Sequence, residues 1–142
     1  MTPENRFHDT PGGIIVDTEK QLLWLPKDSR LDLGKWLDWQ GVLAYVRLMN
    51  QIYAGGFCDW RLPTKEEALS IYDETLLNVD WEKTQIHIHP HFVRGAAHYI
   101  WVNDINESGC ALHLNLRDGS AEYIDKATTE HQAARLVRKT SQ

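Results

Sequence analysis

Cysteine is scarce in this sequence: Cys58 and Cys110 are the only two in 142 residues. That excludes the dense disulfide framework of small secreted domains, and two cysteines at this spacing match no zinc motif. In a reducing compartment the pair defaults to two free thiols, joined only if the fold makes them neighbours. Long apolar runs are missing too. None approaches the ~20 residues that span a bilayer, so no membrane association is expected. The opening Met1-Thr2-Pro3-Glu4-Asn5-Arg6 has no apolar leader core and predicts a cytoplasmic location. Positive charge is in deficit, with 15 Lys and Arg against 20 Asp and Glu and a net charge of −5. Nucleic-acid partners are therefore not expected. No phosphate loop, GxGxxG or Gly-x-Ser-x-Gly element occurs, and no repeat or low-complexity segment.

What is present is an ordinary globular composition, 42% hydrophobic and 25% charged. A chain of this length reads as one domain over residues 1–142, able to bury about 70% of its unfolded surface without staples. The most informative stretch runs from Gly55 to Glu67, Gly-Gly-Phe-Cys-Asp-Trp-Arg-Leu-Pro-Thr-Lys-Glu-Glu. Gly55 and Gly56 can take positive φ and end a helix. Pro63 and Thr64 open another, with Thr64 and Glu67 spaced as a capping box. Between them lie Asp59, Trp60 and Arg61. A turn this rich in large side chains packs inward, and a buried Arg61 needs a carboxylate from Asp59, Glu66 or Glu67. Asp59, Trp60, Arg61, Pro63, Thr64 and Glu67 are thus read as structural.

Along the chain, residues 13–17 and 21–25 form two extended runs around a polar turn, a hairpin. Residues 27–37 are charged and irregular, and Trp36 among them either caps the core or stays exposed. Asp38 is the N-cap of a helix over about 39–53, with Trp39, Val42, Leu43, Val46, Met49 and Ile52 at core spacing. A second helix covers about 64–74, with Ala68, Leu69, Ile71 and Tyr72 apolar. Residues 75–97 make a long connection. Strands follow at about 98–103, 110–117, 120–125 and 132–139, with Asp118-Gly119 as a hairpin turn. Helices flanked by strands predict an α+β fold with an antiparallel sheet.

The run from Gly56 to Glu67 resembles the signature of the Lcl C-terminal domain family, a family without an assigned activity. Arg6-Phe7, Gly13, Val16-Asp17-Thr18 and Leu22-Leu23-Trp24 resemble the family's opening strand pair. Trp39-Gln40 with Ala44-Tyr45 resembles its first helix, and Arg135-Leu136-Val137-Arg138 its closing strand. The likeness spans about residues 6–139. It implies a C-type-lectin-like fold, in which the long loop region often carries ligands. It also implies core positions for Trp24, Trp39, Trp60 and Trp101. The family's adhesin relatives bind sulfated glycans and form trimers.

Several constellations could carry chemistry. Trp101-Val102-Asn103-Asp104-Ile105-Asn106-Glu107 holds hard oxygen donors, and Asn103 and Asp104 are candidate calcium ligands. The structural reading makes the same run a core Trp101 followed by a polar turn. His87, His89 and His91 alternate; in an extended segment they would share a face as a zinc site, whereas Pro90 favours a loop of solvated or hydrogen-bonded imidazoles. Cys58 with Cys110 is the thiol pair a copper oxidase would use, and otherwise two buried thiols. Trp81 and Trp36 lie in irregular segments where an exposed indole can stack on a sugar or anchor a protein.

The function read from the sequence is a non-catalytic module binding a carbohydrate or a protein through the loop face 76–109. Its candidate ligand-binding residues are Trp81, Trp101, Asn103, Asp104, Asn106 and Glu107, with no cofactor beyond calcium. The rivals are a metal-dependent enzyme using His87, His89 and His91 or the Cys58/Cys110 pair, and a self-assembling homo-oligomeric subunit.

Overall fold

The computed structural model describes residues 2–141. In chain order it contains α1 (Pro3–Arg6), β1 (Phe7–Asp9), β2 (Ile15–Asp17), β3 (Leu22–Trp24), α2 (Ser29–Leu33), α3 (Trp39–Gln51) and a short 3₁₀ turn (Ala54–Gly56). There follow α4 (Lys65–Ile71), β4 (Asn78–Val79), β5 (Gln85–Ile86), β6 (Tyr99–Ile105), β7 (Ala111–Asn115), β8 (Ala121–Ile124), β9 (Gln132–Ala133) and β10 (Val137–Lys139). The fold is α+β, with largely antiparallel sheets.

One four-stranded sheet has the order β1-β2-β3-β10, so the first and last strands of the chain share it. Trp24 stands opposite Ile15 on one side and Val137 on the other. All three residues of β3 are buried, because both faces of the sheet are covered. Trp24, Ile15, Leu22 and Val137 enter one core, and Leu23, with Ile14, Leu25 and Leu136 from the flanking chain, enters a second. The other four-stranded sheet, β8-β7-β6-β9, is shared in the same way: Ile100, Val102, Leu112 and Leu114 face the first core, while Trp101 and Ala111 face the second.

The expected strand over 132–139 is two strands. β9 runs parallel to β6, pairing Tyr99 with Gln132, and β10 joins the other sheet. The chain changes sheets at Ala134, which exchanges hydrogen bonds with Ser29: its N–H donates to Ser29 Oγ, and its carbonyl accepts from the Ser29 N–H. Arg135 follows, fully buried, with its guanidinium 4.9 Å from the centre of the Phe92 ring. Burial holds its pKa low, and the nearby Asp28 opposes that.

α3 and α4 start as read. Asp38 Oδ1 accepts from the Gly41 N–H at 2.8 Å, and Thr64 and Glu67 close a reciprocal capping box. The ends differ. α3 stops at Gln51, leaving Ile52 61% exposed, while Tyr45 is buried instead. α4 stops at Ile71 because Tyr72 is already extended. The segment 27–37, read as irregular, contains α2: Asp28 caps it by accepting from the Leu31 N–H, and Gly34 closes it at φ +74°.

The signature turn joins these parts. Trp60 is buried, its backbone bonded both ways to the Asn50 side chain and its indole N–H donating to the Ala54 carbonyl at 2.7 Å. Arg61 pairs with Glu67 in bidentate fashion at 2.7 and 2.9 Å, and its backbone bonds to Val137. Asp59 accepts from Arg138 instead. Gly55 is required here: at φ +62° a Cβ would lie 2.7 Å from Ile14 Cδ1. Among the described residues no helix is long and apolar enough to cross a membrane.

Candidate ligand-binding site

The long connection after α4 is tied down at a tight turn over residues 80–84. Asp80 Oδ1 accepts from the N–H groups of Glu82 and Thr84, and Asp80 Oδ2 accepts from Arg117 Nε at 2.7 Å. Arg117 also reaches Glu82 at 2.7 Å. A buried carboxylate with these donors fixes the backbone on both sides of Trp81. The Trp81 N–H then donates to the Ala96 carbonyl, and its indole N–H donates to His98 Nδ1 at 3.1 Å. An indole nitrogen only donates, so Nδ1 of His98 is bare and the imidazole is neutral with its proton on Nε2. Desolvation, with a smaller contribution from Arg117, pushes the His98 pKa down to about 4 against the pull of Asp80.

Two further rings complete the cluster. His131 packs on Trp81 at 4.6 Å between centroids, and Trp36 meets both edge-on, at 5.0 Å from Trp81 and 5.1 Å from His131. The Arg30 guanidinium lies 4.9 Å over Trp36. His131 holds φ +77°, a left-handed conformation that costs a non-glycine residue on the order of 1 kcal/mol. Trp36, Trp81 and His131 are each only partly buried. Behind them His98 stacks towards Tyr99, and Tyr99 on His113, each pair at 4.3 Å. Three segments distant in sequence thus present two indoles and an imidazole at one lip, on a hydrogen-bonded base.

A histidine held below its unfolded pKa stabilises the fold above about pH 6.5, and that contribution is lost as pH falls from 6.5 towards about 4. His98→Asn keeps an acceptor for the indole and removes the titration. Urea unfolding at about pH 7 and pH 4 should show a pH-dependent loss smaller in the variant by ~2–3 kcal/mol; parallel profiles would refute this role for His98.

The other sequence candidates do not gather here. Trp101 has no exposed surface; its indole N–H donates to the Leu37 carbonyl at 2.9 Å and its ring packs edge-on against Trp39. It is a core residue, because β6 is covered on both faces, and it is withdrawn from the ligand-binding set. Asn103 and Asp104 lie towards the far end of β6, about 15–20 Å along the strand direction from His98, and Asn106 and Glu107 lie in the turn beyond it. Asp104 accepts from the Tyr123 hydroxyl at 2.9 Å, and Asn106 Oδ1 closes the β6–β7 turn by accepting from Ser108 and Cys110. Asn103 and Glu107 are exposed.

The three histidines of the 87–91 run do not converge either: His89 and His91 are neighbours, with ring centroids 4.4 Å apart and the His91 N–H donating to His89 Nδ1, while His87 turns to other partners. His87 Nδ1 is 2.9 Å from the Leu76 carbonyl, and His89 is buried with its ring 5.4 Å from Phe7. His91 lies 3.9 Å from Asp9. The turn around Pro90 breaks the extended geometry that convergence required. Among the described residues no group of three or more His, Cys, Asp or Glu is placed to hold a metal ion. Cys58 is exposed, Cys110 is partly buried, and both are free thiols. Sequence reading found Trp81 and flagged Trp36. It missed His98, His131 and Arg30, which lie in no motif and meet only through the fold.

Fold and cluster together define a mixed α+β domain that presents aromatic rings from its loops. The model of the Lcl C-terminal domain family matches residues 13–138, and the chain belongs to that family. No curated protein matches it.

Proposed function

We propose that the chain is a non-catalytic recognition module on a C-type-lectin-like scaffold, binding a carbohydrate or a protein through the loop face 76–109 with Trp81 at its centre. The observation that carries this reading is the half-buried Trp36–Trp81–His131 cluster, held from below by His98. Partly exposed indoles on a rigid base combine stacking area with little ordering cost, the property that makes Trp a frequent binding hot spot. The adjacent Arg30 and the Arg117–Glu82 pair supply polar contacts at the rim. The scaffold is inferred from the pairing of first and last strands in one sheet, with a long loop region leading into a second.

The test uses Trp81→Ala and Trp36→Ala beside the parent protein, on a glycan array and in affinity capture from a lysate with quantified Kd for the recovered partner. Each substitution should weaken binding at least tenfold, the effect of losing a hot-spot indole. Trp81→Ala should lower stability by only ~1–2 kcal/mol, as befits partial burial. Unchanged affinity in both variants would move the recognition surface elsewhere.

A further inference from the structure

A second feature of the loop face lies apart from the tryptophan cluster. Two cavities, of about 330 and 410 Å³, adjoin along the segment 75–79, and Leu77 and Pro90 line both. Both volumes fall in the range of ligand-binding clefts. Val79, Gln85 and Arg94 complete the first, and Thr75 and His89 the second. Leu77 is 56% exposed, a large apolar side chain left in water. The walls are tied together by one residue. Asn78 Nδ2 donates to the carbonyls of His89 and Phe92 at 3.2 and 2.9 Å, and its Oδ1 accepts from the Val79 N–H. The groove is therefore formed before any ligand arrives, which reduces the ordering cost of binding.

Charge identifies the occupant. The chain is acidic overall, at −5, yet the arginine lining this groove is uncompensated. Arg94 lines it and forms no ion pair or hydrogen bond through its side chain with the described residues. Lys27 follows Pro26, whose carbonyl accepts from the Val93 N–H, and Lys83 sits in the turn before Gln85; neither ammonium group is paired with a described residue. Of the acidic groups around it, Asp80 and Glu82 are already held by Arg117, and Asp73 accepts from the N–H and hydroxyl of Thr75 at the rim of the second cavity. The edges of the β4–β5 ribbon are occupied as well: Asp80 bridges to Ala96, and the His87 N–H donates to the Leu116 carbonyl. Strand addition is thus closed, and side chains must supply the affinity.

We propose that this groove docks an extended segment of a partner protein in which apolar and acidic residues alternate. Successive same-face side chains of such a segment, ~7 Å apart, would enter the two cavities beside Leu77 and Pro90, while carboxylates meet Arg94. The site is distinct from the tryptophan cluster and does not depend on it.

Fluorescence anisotropy with a short fluorescein-labelled peptide of alternating leucine and glutamate tests this. Saturable binding is expected, weakened at least tenfold when glutamine replaces glutamate in the peptide and by a similar factor in Arg94→Ala and Leu77→Ser. Both substitutions are at exposed positions, and thermal melts establish that the variants remain folded. Trp81→Ala should leave this affinity unchanged, which separates the groove from the tryptophan site. The proposal is overturned by absence of binding, by equal affinity for the glutamine peptide, or by no effect of Arg94→Ala. Displacement of the peptide by decanoate at comparable affinity would assign the groove to free carboxylic amphiphiles instead. A dimer in light scattering that Leu77→Ser dissolves would assign it to a second copy of the chain.

Discussion

Asp17→Ala is expected to lower the unfolding free energy by about 3–5 kcal/mol, the cost of breaking a buried charge pair from one side. For a domain of this size that is a fall in Tm of roughly 10–20 °C. Asp17 has no exposed surface. Its carboxylate receives Arg6 through Nε at 2.8 Å and through a second guanidinium nitrogen, and it also accepts from the N–H groups of Glu19 and Lys20. One side chain therefore shapes the β2–β3 turn and neutralises a guanidinium that continues on to the Ser70 carbonyl at 2.8 Å. Without it, two backbone donors and a largely buried cation lose their acceptor. Glu19, 3.2 Å from Arg6 Nε, offers a partly exposed substitute and places the effect nearer the lower bound. Urea unfolding measures it as a shift in midpoint at constant m. A loss under about 1 kcal/mol would mean that Arg6 swings out to water and the pair is a surface one.

Trp101→Ala should cost about 3–5 kcal/mol, as a large aromatic removed from a packed interior leaves a cavity its neighbours only partly fill. The ring touches Trp39 at 5.7 Å and its indole N–H holds the Leu37 carbonyl, so the substitution also leaves a buried acceptor unpaired. Leu37 in turn donates its N–H to the Gln132 carbonyl, next to His131. The damage should therefore reach the tryptophan cluster, and Trp101→Ala should weaken any ligand of Trp81 through the fold. Trp101→Phe, which keeps most of the packing, should recover most of the stability. Equal losses for Trp81→Ala and Trp101→Ala would show that Trp81 is a core residue and would remove the argument for a recognition surface there.

Much of the fold was legible because it is written in short-range chemistry. Asp38 and Thr64 could be read as caps and Gly55 as a turn residue, each from backbone geometry within a few residues, while the core positions of Trp24 and Trp60 were implied by the family resemblance. The Arg61 partner was narrowed to three carboxylates, Asp59, Glu66 and Glu67, and the structure selects Glu67. The break between Gln132–Ala133 and Val137–Lys139 was not legible. No glycine or proline marks the break, and which sheet each half joins depends on strands more than thirty residues away.

The candidate site divides the same way. The sequence by itself determined the starts of α3 and α4, the signature turn, the family and the presence of a long connection with a tryptophan in it, because local propensity and capping act over a turn or two of chain. Only the tertiary structure decided that Trp101 is core while Trp81 faces outward, that His98 and His131 flank that indole, and that His87 turns away from the neighbouring His89 and His91. Those outcomes rest on contacts between residues far apart in sequence, where burial on both faces of a sheet and the pairing of a single buried carboxylate outweigh any local preference.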